Sequence, residues 1–174
     1  MKKILLLFWG KKGNVERAAR KIYTMFDPAI IDIFDVVSFD VSKIKNYQLL
    51  ILGGSTVGAE NWLDVKDDNE WNRFFVKVRD YNLSGVKVAS FGLGDQVLYP
   101  DHFVDGLAVF KEEMEKTGAT IIGKWPTKGY DFTDSDSVED DMFFGLALDL
   151  DRQEELTEER IKGWTKQLKT EAGI

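Results

Sequence analysis

Three glycine-bearing loops hold most of the residues in this chain that could do chemistry. The first runs Trp9-Gly10-Lys11-Lys12-Gly13-Asn14-Val15-Glu16. A glycine turn that opens a helix presents backbone N–H groups and the positive helix end to an anion. Its spacing matches neither G-x-x-x-x-G-K-[ST] nor G-x-G-x-x-G. It also fits a plain strand-to-helix turn with two exposed lysines. The second loop, Gly54-Ser55-Thr56-Val57-Gly58-Ala59-Glu60-Asn61-Trp62, carries hydroxyls that could add donors to the same anion. Trp62 either caps a protein edge or packs on a planar ligand. The third loop is Gly92-Leu93-Gly94-Asp95-Gln96-Val97-Leu98-Tyr99. Its two glycines would let the backbone approach a ligand closely. Tyr99 is either a stacking ring or a half-buried packing residue.

Composition removes several other chemistries. Zero cysteines exclude disulfides, thiolate metal sites, iron–sulfur clusters and a cysteine nucleophile. One histidine, His102, makes a histidine zinc site or a histidine-driven triad improbable and reads as solvent-exposed. Reactive chemistry is therefore expected from a bound molecule. Lys plus Arg is 23 against 30 for Asp plus Glu, a net charge of -7, which disfavours nucleic acid and anionic lipid as partners. The charge is uneven. Residues 1–25 hold seven bases and one acid, whereas residues 131–160 hold twelve acids against Arg152 and Arg160.

These loops need a scaffold, and the hydrophobic pattern supplies one. Apolar runs at 4–9, 30–34, 47–52, 86–91 and from 119 read as strands. Val15, Ala19, Ile22 and Phe26 recur on one helical face, as do Trp71, Phe74, Phe75 and Val78. Phe103, Leu107, Phe110 and Met114 line a third helix. Ile161, Trp164 and Leu168 line a fourth, with Thr157 as its N-cap. Strands alternating with helices mean parallel βαβ units, and near-continuous apolar strands mean a sheet covered on both faces. The fold class is α/β, a three-layer doubly wound sandwich on a five-stranded parallel sheet, as one domain over residues 1–174. Ligands of such sheets bind outside the carboxyl ends of the strands, where the three loops lie. No apolar run reaches the roughly 18 residues of a membrane span. The apolar N-terminus reads as a buried strand and not a signal peptide, so a cytoplasmic protein is expected.

The stretch Ser90-Phe-Gly-Leu-Gly-Asp-Gln-Val-Leu-Tyr-Pro-Asp-His-Phe103 closely resembles the flavin-ring loop of flavodoxins. Gly123-Lys-Trp-Pro-Thr-Lys-Gly-Tyr-Asp-Phe132 resembles the insertion that marks the long-chain branch of that family. Phe144-Gly-Leu-Ala-Leu-Asp149 and the following 155–161 resemble its C-terminal signature. The resemblance implies a flavodoxin-like fold with that family's strand order, 2-1-3-4-5. It implies non-covalent FMN and a low-potential one-electron carrier between redox enzymes, not an enzyme. Partners would be a reductase donor and an acceptor enzyme, met by a monomer through transient, salt-sensitive contacts. The resemblance puts the phosphate on Gly10, Lys11, Lys12, Gly13, Asn14 and Val15, with Thr56 reaching it. Leu93, Gly94 and Asp95 match backbone contacts to the ring, and Tyr99 matches its outer stacking tyrosine. Asp151 falls near an acid close to the flavin in some relatives.

Two departures stand out. The family pattern [S/T]-x-T-G-x-T carries hydroxyls where this chain has Gly10, Lys12 and Val15. Only backbone N–H groups and two lysines remain, and each missing hydrogen bond to a charged phosphate costs roughly 1.5–3 kcal/mol. Many relatives also have Thr-Trp where this chain has Thr56-Val57. Either Trp62 folds back over the inner ring face, or Val57 leaves that face aliphatic. Gly58 sits where a peptide flip beside flavin N5 is cheap. The competing classes are a module of this fold that has lost or weakened FMN binding, and a flavin enzyme such as a quinone reductase.

Overall fold

The computed structural model describes residues 3–10, 12–55 and 69–174. Its sheet is built on β1 (Ile4–Phe8), buried along its whole length. Side chains alternate across a strand, so Ile4, Leu6 and Phe8 face one layer while Leu5 and Leu7 face the other. Both faces need cover, which is why the run is apolar without a break. β1 pairs in parallel with β2 (Ile31–Asp35) and with β3 (Leu49–Gly54). β3 pairs in turn with β4 (Lys87–Leu93).

Two helices cover each face. α1 (Asn14–Tyr23) and α4 (Thr157–Ala172) bury Ala18, Ala19, Ile22, Ile161, Trp164 and Leu168 on one side. α2 (Glu70–Val78) and α3 (Gly106–Glu115) bury Trp71, Phe75, Phe110 and Met114 on the other. The α3 face was expected to begin at Phe103. Val104, at φ 52, turns the chain into the left-handed region, so the helix starts later and Phe103 packs as a turn residue. A 3-10 turn at Glu154–Leu156 feeds straight into α4. Leu156 therefore holds the N-cap position assigned to Thr157, which becomes the first helical residue.

The fifth strand position is shared by two short strands, both parallel to β4. β5 (Thr120–Ile121) pairs with its start, and β9 (Leu146–Leu148) with its end. The order is β2-β1-β3-β4-β5, with β9 also on β4. Between the two halves lies a small antiparallel sheet in the order β6-β8-β7: β6 (Trp125–Pro126), β7 (Val138–Glu139) and β8 (Met142–Phe143). Asp140 and Asp141, at φ 51 and 59, make the two-residue turn between β7 and β8. The apolar run 143–148 is broken at Phe144-Gly145. A Cβ on Gly145 would sit 2.2 Å from the Ser90 carbonyl oxygen, so only glycine lets the chain rejoin β4 there.

Candidate functional site

β1, β3, β4 and β9 end on one edge of the sheet, above a cleft of about 340 Å³. One wall is the first turn of α1. Gly10, Gly13, Asn14 and Val15 line it. Gly13 is the N-cap and has no side chain to satisfy the first helical N–H groups. α2 shows the contrast, because Asn69 Oδ1 accepts the Asn72 N–H at 2.9 Å. The uncapped turn of α1 thus keeps its donors and its positive dipole end for an anion.

The opposite wall is the loop after β4. Leu93, Gly94, Asp95 and Tyr99 line the cleft here, with Tyr99 47% exposed. Ser55, Leu150 and Asp151 close it. The glycines of this loop also have a packing role. A Cβ on Gly94 would lie 2.9 Å from Phe103 Cδ2, and one on Gly92 would lie 3.1 Å from Leu107 Cγ. Their missing side chains make room for Phe103 and Leu107, and Gly94 also lines the cleft.

Buried polar groups fix the shape of that loop. The Asp149 carboxylate, 1% exposed, accepts the Gln96 backbone and side-chain N–H groups at 3.0 and 2.9 Å. Its other oxygen accepts the N–H groups of Asp151 and Arg152 at 3.1 and 2.9 Å. Gln96 Oε1 then accepts the Asp131 N–H at 2.5 Å, tying the inserted segment to the loop. Asp95 accepts the N–H groups of Val97 and Leu98, and Arg152 donates to both its oxygens at 3.0 and 3.1 Å. The Arg152 guanidinium and the two amides hold the Asp95 carboxyl below the usual carboxylate range. Further along, the Pro100 carbonyl accepts N–H groups from Thr133 and Asp134. His102, expected to be solvent-exposed, is half-buried with Nδ1 3.0 Å from Asp105 Oδ2. Burial pushes the Asp105 carboxyl up.

Of the expected site residues, the cleft brings together Gly10, Gly13, Asn14, Val15, Leu93, Gly94, Asp95, Tyr99 and Asp151. Lys12 lines a separate groove with Glu16, Arg20 and Asp35. Lys11, Thr56, Val57, Gly58 and Trp62 lie outside the described residues. Sequence reasoning gave the Ser55 hydroxyl only as one of the second loop's donors and Gln96 and Asp149 only as members of motifs, and it passed over Leu150 and Arg152 as site residues. Asp149 did carry a signal, as a lone carboxylate directly after the apolar run Leu146-Ala147-Leu148.

A family model described as flavodoxin matches residues 6–164. The chain is 40% identical over 176 residues to the flavodoxin of Trichodesmium erythraeum (strain IMS101), covering 100% of both. It is 36% identical over 167 residues to flavodoxin 1 of Escherichia coli (strain K12), covering 95% of this chain and 92% of that one. The crystal structure of Fusobacterium nucleatum flavodoxin bound to flavin mononucleotide superposes with a TM-score of 0.85 at 26% identity, over 98% of this chain and 99% of that one. With this match along its length, the same strand order and a fifth strand divided by an inserted sheet, the chain belongs to the flavodoxin family, in its long-chain branch.

Proposed function

We propose that this chain binds FMN non-covalently and carries single electrons between redox enzymes. One observation carries the reading: a single cleft joins an uncapped helix N-terminus to a half-exposed tyrosine across apolar walls. A phosphate suits the first end and a flat ring suits the second. Bound FMN supplies the redox chemistry. The chain's own residues hold, orient and shield it. The backbone N–H groups of Gly13, Asn14 and Val15 take the phosphate, in place of the hydroxyls this chain lacks. Leu93 and Leu150 wall off water, and Tyr99 covers the outer ring face. Asp149 and Gln96 hold the ring loop in shape through hydrogen bonds within the chain, which lowers the ordering cost of binding. A module that had lost FMN would have no use for this preorganisation.

Partner contact is expected at the same edge. Val97 and Leu98 stand 59% and 64% exposed beside Tyr99, and the acid-rich 131–160 segment packs behind the loop. A basic rim around an apolar centre on a reductase or acceptor would complement that edge. The contact is small and transient, made by a monomer in the cytoplasm. Among the described residues, no helix is long and apolar enough to cross a membrane. Spectroelectrochemical titration of the purified protein tests the carrier role. Two separate one-electron couples are expected. A single two-electron couple, or steady NADPH oxidation without a separate reductase, overturns it in favour of a flavin enzyme.

A further inference from the structure

The loop behind the anion wall of the cleft contains a residue in an unfavourable conformation. Lys12 adopts φ 62, the left-handed region that lysine rarely enters. Its N–H donates to Glu16 Oε2 at 2.7 Å. The other oxygen of that carboxylate, Glu16 Oε1, accepts from Arg20 Nε at 2.9 Å and Arg20 Nη2 at 2.6 Å. Glu16 is thereby pinned at both oxygens, with its side chain only 17% exposed. In the usual capping box, a glutamate at this third helical position reaches back to the N-cap N–H. Here Gly13 is the N-cap, and Glu16 reaches one residue further, to Lys12. The clamp also sits on the other side of the loop from the cleft. Lys12, Glu16 and Arg20 line the neighbouring groove, while Gly10, Gly13, Asn14 and Val15 line the cleft.

We infer that Glu16 is a positioning residue of the phosphate cradle: its clamp holds Lys12 left-handed, which aims the N–H groups of Gly13, Asn14 and Val15 into the cleft. The inference rests on the FMN reading of that cleft. Two effects of opposite sign compete. Coulomb repulsion between the Glu16 carboxylate and a phosphate weakens binding, so deleting the carboxylate alone would tighten it. Arg20 neutralises most of that repulsion by direct contact, and the geometric effect then dominates. In a loop with no hydroxyls to tie it down, backbone direction is what remains to select an anion.

The sign of the change decides the matter. Apoprotein is titrated with FMN and, separately, with riboflavin, which has the same ring and no phosphate. Glu16→Ala is expected to weaken FMN about tenfold, the scale of one lost charge-assisted hydrogen bond, and to leave riboflavin within about twofold. Glu16→Gln keeps an acceptor for the Lys12 N–H and loses less. Adding Lys12→Gly to Glu16→Ala restores FMN affinity, because glycine enters the left-handed region unaided. Tighter FMN binding by Glu16→Ala overturns the inference. So does an equal loss for both flavins, or no rescue by Lys12→Gly. Wild-type protein that binds riboflavin without preferring FMN refutes the phosphate reading itself, and that outcome is visible before any variant is made.

Discussion

One carboxylate just past the end of β9 ties the ring loop to the turn that follows that strand. Asp149 is acceptor-only, and it faces four N–H donors. Asp149→Asn turns an amide donor against some of them, and a buried donor left unpaired costs about 1–3 kcal/mol. Urea unfolding of the apoprotein should show that loss, and hydrogen exchange should quicken at residues 95–99. The Asp95–Arg152 pair makes a separate prediction about pH. Asp95 titrates lower in the folded chain than unfolded, so its stabilisation is present above the ordinary aspartate range and lost as pH falls through the lowered value. Arg152→Met should be less stable than wild type at neutral pH. The gap should close as pH drops below about 4; a gap that stays constant contradicts the pairing. The lysines of the first loop are expected to act on redox balance. Positive charge favours the more negative reduced flavin, so the double Lys11→Thr, Lys12→Gly variant, which removes both charges and keeps residue 12 free to stay left-handed, should shift the last midpoint potential more negative, on the order of tens of millivolts at low salt. An unchanged potential at low salt counts against any such influence.

At the level of elements, the sheet was legible because β1 and β3 are buried on both faces in unbroken apolar runs, and β4 interrupts its own run only with Lys87 at its start and the small Ser90. The helices were legible for a similar reason: Trp71, Phe74, Phe75 and Val78 repeat on one face. What escaped was set by tertiary contacts. Asp140-Asp141 reads as acidic surface, yet both residues hold the left-handed conformations of a tight hairpin. Gly92 and Gly94 read as ligand glycines, and their packing on Leu107 and Phe103 was not visible in the sequence. Lys12 reads as a phosphate lysine, but backbone direction sends it to the neighbouring groove, and direction is not written in residue type. The inserted sheet is itself anchored by Tyr130. Its hydroxyl donates to the Ala147 carbonyl at 2.6 Å and accepts from Trp125 Nε1 at 3.1 Å, while Arg160 stacks 3.8 Å from the ring. Tyr130→Phe leaves both partners unpaired, for a loss of about 1–3 kcal/mol in denaturant unfolding. Burial also pushes the Tyr130 phenol up to about 12 from 10.0. Its stabilisation is complete below pH 10.0 and is lost as pH rises toward about 12. The Phe variant should show a shallower alkaline limb.

Over the whole molecule, a charge of -7 and an acid-rich segment behind the ring loop are expected to set how the protein meets others. Association with a basic partner should slow as ionic strength rises, since the Debye length shrinks from about 30 Å at 0.01 M to about 8 Å at 0.15 M. Stopped-flow electron transfer across that range measures it, and a rate indifferent to salt contradicts electrostatic docking. All of this depends on one molecule being held at the carboxyl edge of the sheet. The most direct measurement is a fluorescence titration of freshly prepared apoprotein with FMN. Quenching should saturate at one FMN per chain, with affinity at or below the micromolar range. Intact, folded protein that leaves FMN fluorescence unchanged at micromolar concentrations contradicts the carrier role outright.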